Sequence, residues 1–302
     1  MVVKAGGGER AASGGRAMRA MSAGWGSGFL GILIFSASLP ATRVAVAGFS
    51  PLFLTAARAA IAGLLGAGLL LAFRAPRPLR RDLVPLAIVG IGVVIGFPLL
   101  TALALRHVTA AHSIVFLGLL PLATALFGVL RGNERPKPAF WLFSGVGSLA
   151  VAGFALAQGG AGSPAGDGMM LAAILLCGLG YAEGAALSRR LGGWQVISWA
   201  LVLSLPLTVA LALATLPQRW DVGWPAWAGL AYVSVFSMLV GFVFWYRGLA
   251  LGGIAGVGQL QLLQPFLGLA LAALLLREPV APGMLLATGV VVLCVAGAKR
   301  HA

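Results

Sequence analysis

The chain has 302 residues, of which 60% are hydrophobic and only 9% are charged. Soluble domains are about 45–50% apolar and about a quarter charged, so this composition excludes an ordinary soluble protein and predicts a membrane protein. The net charge of +14 does not indicate a nucleic-acid binder, because the basic residues lie in short segments between apolar runs and not on one hydrophilic domain.

In chain order, residues 1–23 contain mainly Gly, Ala, Ser and Arg without apolar periodicity, and they predict a disordered cytoplasmic tail. The apolar run that follows is too long for a signal-peptide core, so it predicts a retained span. A transmembrane helix needs about 20 apolar residues. Ten runs meet or approach this length: 24–47, 50–73, 83–105, 108–130, 139–157, 168–187, 194–216, 224–246, 254–276 and 281–298.

The connections between these runs are short and rich in turn-forming residues, as in RAPRPLRRD and QGGAGSPAGD, and none can hold a soluble domain. Lys and Arg are strongly biased to one side. With the N-terminus inside, only Arg106, Arg219 and Arg277 of the 21 basic residues fall in outside segments, while Arg43 and Arg58 fall within spans. The positive-inside rule therefore predicts that both termini are cytoplasmic and that the number of spans is even.

An internal duplication is the clearest sign of organisation. PLATALFGVLRGNE (Pro121–Glu134) matches PFLGLALAALLLRE (Pro265–Glu278), and each copy has Pro and Glu thirteen residues apart. Five spans in each half is an odd number, so the second half crosses the membrane upside down. The sequence thus predicts an all-α membrane protein of ten transmembrane helices in two inverted five-helix repeats, 24–157 and 168–298. Inverted repeats typically build transporters with a site near the midplane and alternating access.

Three longer segments carry a family resemblance: SPLFLTAARAAIAGLL, ALRHVTAAHSIVFLGLLPLATALFGVLRGNERP and RGLALGGIAGVGQLQLLQPFLGLALAALLLREP. Over residues 24–298 the chain resembles the drug/metabolite transporter superfamily of the EamA-domain type. Within it, the chain is most similar to bacterial aromatic amino acid exporters. The resemblance implies a multi-pass protein of the bacterial inner membrane that exports aromatic or other apolar amino acids and related metabolites.

Polar and aromatic residues inside the spans are candidates for lining a substrate cavity between spans 1, 3, 4, 6, 8 and 9. Ser38 and Thr42 share one helix face, as do Phe97 and Thr101, and an aromatic wall suits a flat apolar solute. The full predicted set is Ser38, Thr42, Phe97, Thr101, Tyr181, Ser237, Trp245, Gln261 and Gln264. Contacts between helices are the alternative for the polar members, and lipid-facing or interfacial packing is the alternative for the aromatic ones.

Charged side chains within spans are costly, so each needs an explanation. Glu183 is a candidate proton or substrate-amine site, with an ion pair to Arg189, Arg190 or Arg247 as the alternative. Arg58 is interpreted as structural, although it could bind a substrate carboxylate, and His112 is a weaker candidate for pH sensing.

Three prolines, Pro98, Pro121 and Pro265, interrupt helical hydrogen bonding and are predicted hinges.

The chain has no phosphate-binding loop, no HExxH metal motif and no nucleophile elbow. The sequence therefore predicts no catalytic residues, cofactor or metal, and a protein that is not an enzyme. Its expected partners are a small-molecule substrate and the lipid bilayer, without nucleic acid, and a monomer is compatible with the pattern. The alternatives left open are export of drugs or other metabolites and, in a different class, a membrane-embedded enzyme acting on lipid-linked substrates.

Overall fold

The computed structural model describes residues 6–104, 107–108, 116–157, 163–218, 221–276 and 282–302. These residues form ten helices and no strand. His112 and Glu278, which the sequence analysis singled out, lie outside the described residues. The helices are α1 Gly6–Ala45, α2 Pro51–Ala72, α3 Arg80–Ala104, α4 Leu120–Gly132, α5 Pro138–Ala157, α6 Pro164–Leu191, α7 Gly193–Ala214, α8 Trp224–Gly252, α9 254–276 and α10 Pro282–His301.

Within the described part of the chain, seven helices are long and apolar enough to cross a membrane, judged by length and composition. Helix α4 is apolar but shorter. Helix α1 begins at Gly6, inside the segment for which the sequence predicts a disordered tail, and its apolar part begins at Met18. Ala, Met and Arg are good helix formers, and no proline precedes Pro40, so the chain can continue the helix N-terminally beyond the apolar run.

The turns between helices lie at two opposite ends of the bundle. At the first end, Lys137 N donates to the carbonyl of His301 at 2.9 Å, and Lys299 Nζ lies 4.6 Å from the centre of the Trp25 ring. Because this end also carries Arg131, Arg189 and Arg190, we call it the charged end. At the opposite end, the far end, Phe49 packs edge-on against Trp227 with ring centres 4.9 Å apart.

Helix packing pairs the two halves of the chain in a reciprocal way. Helix α1 packs against α8 and α9, and α6 packs against α3 and α4. Helix α2 packs along α7, and α5 packs along α10. The helices α6–α10 can be matched in order with α1–α5. The contacts of α1 with α8 and α9 then correspond to those of α6 with α3 and α4, and the pairs α2–α7 and α5–α10 each correspond to themselves. Six helices, α1, α3, α4, α6, α8 and α9, therefore form the centre, and four lie outside them.

Two helices carry the same irregularity at matching positions. Helix α3 is a π-helix over Gly90–Gly96, and α8 is a π-helix over Val233–Val240. The two segments end 144 residues apart, which equals the spacing between Pro121 and Pro265 in the duplicated motif. A third irregularity lies in α9, where a 3₁₀ segment over Gln259–Leu263 separates two α-helical parts. Such mid-helix departures often occur at functional sites.

Glycines allow two very short connections at the charged end. Gly192 alone separates α6 from α7, and Gly253 alone separates α8 from α9, with φ of 87° and 90° respectively. A side chain is strained at such positive φ, so glycine is the residue that makes each one-residue link possible.

Candidate functional site

An aromatic cluster occupies the centre of the helix bundle. Phe35 of α1 lies 5.0 Å from Phe242 of α8, and Tyr181 of α6 lies 5.5 Å from Trp245 of α8, measured between ring centres. Phe35 also meets Trp245 edge-on at 6.3 Å. The rings are tilted or edge-to-face, which are the favoured arrangements for aromatic pairs. One aromatic wall thus takes residues from α1 of the first half and from α6 and α8 of the second.

Small residues let the helices approach around this cluster. A Cβ atom at Gly31 of α1 would lie 3.0 Å from the backbone nitrogen of Trp245. The ring of Tyr246 fills the space beside Gly184, and its hydroxyl donates to the carbonyl of Gly180 at 3.2 Å. Trp245 is fully buried, and its Nε1 has no hydrogen-bond partner among the described residues. A buried indole N–H without an acceptor is uncommon.

The predicted lining residues fall into two groups in the structure. Tyr181, Ser237, Trp245 and Gln261 are buried. Ser38, Thr42, Phe97, Thr101 and Gln264 are half-buried. All nine belong to α1, α3, α6, α8 or α9, which are among the six central helices.

Gln261 makes a contact between the halves. Its Nε2 donates to Thr124 Oγ1 of α4 at 3.2 Å and to the carbonyl of Gly258 at 3.0 Å, and its Oε1 is buried without a partner among the described residues. The second bond satisfies a carbonyl at the start of the 3₁₀ segment. The amide therefore joins α4 to α9 at the point where α9 departs from regular α-helix.

Two hydroxyls of the half-buried group, those of Ser38 and Thr101, bond within their own helices. Ser38 Oγ donates to the carbonyl of Ile34 at 3.3 Å, and Thr101 Oγ1 donates to the carbonyl of Phe97 at 2.6 Å. These bonds use the hydroxyl hydrogen but leave oxygen lone pairs free to accept.

The three predicted hinge prolines each lie beside an interruption of regular α-helix. Pro98 follows the π segment of α3 by two residues. Pro121 is the second residue of α4, directly after a turn. Pro265 follows the 3₁₀ segment of α9 by two residues. Their positions fit the loss of a backbone donor at each proline.

Glu183 forms an ion pair with Arg131 of α4. The Glu183 side chain is 7% exposed and that of Arg131 is 51% exposed, so the carboxylate is buried while the guanidinium reaches the surface. The partner is thus an arginine of the other half, 52 residues away, and not Arg189, Arg190 or Arg247, which the sequence suggested.

Two further ion pairs at the charged end were not anticipated from the sequence. Asp82 at the start of α3 pairs with Arg190 of α6, and Glu134 after α4 pairs with Arg189 at 3.1 Å. Asp82 also accepts from the backbone nitrogen of Leu79 at 2.9 Å. Together with Arg131–Glu183, these pairs join the first half of the chain to the second, and we call the three pairs the ionic latch.

Glu134 also binds the beginning of α9. Its carboxylate accepts from the backbone nitrogens of Ile254 at 2.6 Å and Ala255 at 2.7 Å. These N–H groups have no partner inside their own helix, and a negative charge is favourable at this end of a helix. Glu134 stood out in the sequence only as part of the duplicated motif, which was the signal that could have marked it.

Two cavities lie outside the aromatic cluster. The larger, of about 210 Å³, lies between α2, α3 and α7 and is partly open, and a second of about 140 Å³ lies between α3 and α7. None of the nine predicted lining residues borders either cavity. The aromatic cluster is a better candidate for the main site, because it lies between the six central helices.

A bundle of apolar helices in two reciprocally packed halves, with a buried aromatic wall at their junction, defines a multi-span membrane transporter. The comparison with known families agrees. The EamA-like transporter family matches residues 23–156 and again residues 164–298, so the chain belongs to this family.

One relative and one solved structure extend the comparison. The chain is 67% identical over 280 residues to the "Uncharacterized transporter YdeK" of Bacillus subtilis (strain 168), covering 92% of this chain and 98% of that protein. A solved structure titled "Crystal structure of protein" matches with a TM-score of 0.79 and 22% identity, covering 92% of this chain and 99% of the other. At this identity the second match supports the fold.

Proposed function

We propose that this transporter exports small apolar or aromatic amino acids and related metabolites across the bacterial inner membrane by alternating access. The observation that carries the proposal is the aromatic wall of Phe35, Tyr181, Phe242 and Trp245. It suits a flat apolar solute, and the unpartnered indole N–H of Trp245 supplies a donor for a polar atom of that solute.

The architecture proposed is ten transmembrane helices in two inverted five-helix repeats. Three observations support it: the duplicated Pro–Glu motif, the π segments that end 144 residues apart, and the reciprocal packing of the halves. An inverted repeat gives two equivalent states, each open to one side of the membrane. The substrate site then lies where the halves meet, within reach of both sides.

The charged end is the cytoplasmic side in this proposal. Most Lys and Arg residues lie in the segments of that end, as the positive-inside rule requires. The ionic latch closes it, and the half-buried Ser38, Thr42, Thr101 and Gln264 line the route from the aromatic wall toward the far end. Opening toward the cytoplasm requires the three ion pairs to separate.

Glu183 then becomes a proton or substrate-amine site during the cycle. In the latched state its carboxylate is occupied by Arg131. When the two halves separate, the carboxylate loses this counter-charge and a proton or a substrate ammonium group can take its place. If Glu183→Gln transports with wild-type rate and wild-type pH dependence, coupling through this carboxylate is wrong and uncoupled facilitation is the better account.

Counterflow in proteoliposomes tests the substrate. The purified protein is loaded with unlabelled L-phenylalanine, and uptake of radiolabelled L-phenylalanine, L-leucine and D-phenylalanine is compared. The proposal expects saturable uptake of the L-amino acids that exceeds uptake of the D-isomer. If no amino acid gives flux and unrelated drugs or metabolites do, amino acids are not the transported substrate.

Two variants separate the aromatic wall from other tryptophans. Trp245→Ala removes the wall's unpartnered indole, whereas Trp224→Ala removes an indole that is 78% exposed at the beginning of α8. We expect Trp245→Ala, and likewise Gln261→Ala, to change the preference between phenylalanine and leucine, and Trp224→Ala to leave it unchanged. Wild-type preference in both Trp245→Ala and Gln261→Ala would contradict the assignment of the site.

A further inference from the structure

Four arginines lie close together in the chain where α2 connects to α3. Arg74, Arg77, Arg80 and Arg81 occupy four of the eight positions from 74 to 81, and we call residues 74–81 the arginine segment. All four residues are exposed, and none of their side chains has an ion pair or a hydrogen bond within the part of the chain that the structure describes. The segment contains no acidic residue, so it carries a net charge of +4.

The acidic residues of the charged end do not neutralise this charge. Asp82 follows the segment directly, but it is buried, accepts from the backbone nitrogen of Leu79 at 2.9 Å and pairs with Arg190 of α6. Glu134 and Glu183 are occupied by the other two pairs of the ionic latch. Because the latch uses these three carboxylates, the guanidiniums of the arginine segment remain available for a group outside the chain.

The surroundings of the arginine segment place it at the edge of the membrane. Helix α2 lies outside the six central helices, and Leu71 and Phe73 at its end are exposed. Exposed apolar side chains of a membrane-spanning helix contact lipid acyl chains. Phe73 also packs edge-on against Trp194 at the start of α7, with ring centres 5.7 Å apart, and Trp is enriched at the boundary between membrane and water. The arginine segment therefore begins at the level of the lipid headgroups.

The backbone limits how the arginine segment can move. Ala75 N donates to the carbonyl of Leu70 at 2.9 Å, which closes the end of α2, and Arg74 has the positive φ of 48° that this kind of turn uses. Pro76 and Pro78 then fix their own φ angles. A segment with fewer accessible conformations loses less entropy on binding, so the arginines are presented to a ligand at a reduced cost.

We propose that the arginine segment binds the phosphate of an anionic phospholipid in the leaflet at the charged end. Arginine is suited to this role because its planar guanidinium donates two parallel hydrogen bonds to phosphate oxygens. Groups of Lys and Arg directly beside a membrane-spanning helix attract anionic lipids. The exposed Leu71 and Phe73 give the acyl chains of the same lipid a surface to pack on, which a soluble phosphate would not use. This proposal is independent of the identity of the transported solute.

Lipid binding to the detergent-solubilised full chain tests the proposal. Fluorescently labelled phosphatidylglycerol is the anionic probe, and labelled phosphatidylcholine, which has no net charge, is the neutral one. The test variant combines Arg74→Gln, Arg77→Gln, Arg80→Gln and Arg81→Gln. We expect it to bind phosphatidylglycerol at least about tenfold more weakly than the wild-type protein, because four charge-assisted contacts are lost, and to bind phosphatidylcholine unchanged.

The matched control removes the same number of charges from the same end of the bundle. It combines Arg135→Gln, Lys137→Gln, Arg247→Gln and Arg300→Gln, all at exposed positions. It should weaken phosphatidylglycerol binding less than about threefold, because salt screens charges that do not touch the lipid. Equal weakening in the two variants would overturn the proposal, since the general charge of this end would then account for the attraction. Equal binding of the two lipids by the wild-type protein would overturn it as well.

Two further measurements keep the test decisive. If the fourfold variant does not fold, the single changes Arg77→Gln and Arg80→Gln replace it, each expected to weaken phosphatidylglycerol about threefold, and unchanged binding in both would contradict the proposal. Competition with glycerophosphoglycerol, the headgroup without acyl chains, identifies the kind of anion. Displacement of the labelled lipid only at concentrations at least about a hundredfold above those of unlabelled phosphatidylglycerol supports a lipid, because acyl chains add apolar contact. Displacement at equal concentrations would assign the segment to a soluble phosphate and refute the lipid site.

Discussion

The two ends of the bundle use polar residues in opposite ways. At the charged end, carboxylates and guanidiniums bond across helices, as Glu134 does with Arg189 and with the backbone of α9. Toward the far end, the hydroxyls of Ser38, Thr55 and Thr101 bond to carbonyls of their own helices. The charged end is thus joined by ion pairs between the halves, whereas these three hydroxyls do not tie helices together. Toward the far end, one cross-helix bond is that of the Tyr232 hydroxyl, which donates to the carbonyl of Ile34 of α1 at 3.0 Å.

Within the proposed alternating-access cycle, this difference assigns stability to one end and solute access to the other. In that cycle, interhelical ion pairs and capping bonds break when the charged end opens, so they set the energy of that state. Hydroxyls that bond within one helix can face a cavity in either state without losing their bonds. The following four experiments test this division.

The largest effect is expected for Glu134→Ala. This change leaves two backbone N–H groups at the beginning of α9 without their acceptor and Arg189 without its counter-charge. We expect the free energy of unfolding to fall by roughly 3 kcal/mol, more than a hundredfold in the equilibrium. Thermal unfolding of the detergent-solubilised protein measures it. Arg135→Gln, at the exposed neighbouring position, is the control, and equal losses in both variants would show that the cap does not act as described.

A smaller and asymmetric effect is expected for the Arg131–Glu183 pair. Arg131→Gln leaves a carboxylate that is 7% exposed without its partner, whereas Glu183→Gln leaves a guanidinium that is already 51% exposed. We expect losses of about 2 kcal/mol and about 1 kcal/mol respectively, because only the first strands a buried charge. Denaturant titrations of both variants and of the double variant measure this, and the reverse order would refute the assignment of burial.

Access from the far end should be visible by thiol labelling. In a background in which the buried Cys177 and Cys294 are replaced by alanine, Thr101→Cys places a thiol at a half-buried position of α3. Ser188→Cys places one at a buried position beside the ionic latch. We expect a membrane-impermeant maleimide to label the first about tenfold faster. Equal rates would mean that the charged end opens as readily as the far half.

The smallest effect is expected for Thr101→Val. Its hydroxyl donates only to the carbonyl of Phe97 in the same helix, so removal should cost less than about 0.5 kcal/mol. Thr124→Val is the matched control, since Thr124 accepts from Gln261 of the opposite half, and it should cost about 1 kcal/mol. A larger loss at Thr101 than at Thr124 would break the contrast between bonds within and between helices.

The helices could be predicted from the sequence, because hydropathy and run length depend on local composition alone. Pro98, Pro121 and Pro265 pointed to interruptions for the same reason: a missing N–H is a local property. The π segments were not predicted. The residues Gly90–Gly96 carry no proline, and their backbone departs from α-helix only in the context of the packed bundle.

Ion-pair partners were not predictable by proximity in the chain. The sequence suggested Arg189, Arg190 or Arg247 for Glu183, yet Arg189 and Arg190 pair with Glu134 and Asp82, and Glu183 pairs with Arg131. All three partners come from the opposite half, which only the packing of α4 and α3 against α6 brings near. Likewise, Ser144, Ser148 and Gln259 are buried with side-chain atoms that have no partner among the described residues, and nothing in the sequence distinguished them.

The π segments have a consequence for movement along the helix axis. A π turn contains one residue more than an α turn, and each residue of an α-helix advances the chain by about 100° around its axis. If that additional residue were displaced by one turn, the side chains it passed would rotate by about 100° while both helix ends stayed in place. Phe97 and Phe242 stand directly beyond these segments or one residue later. Such a displacement would let the third helix of each half change which side chains it presents to a solute by a screw motion, without tilting.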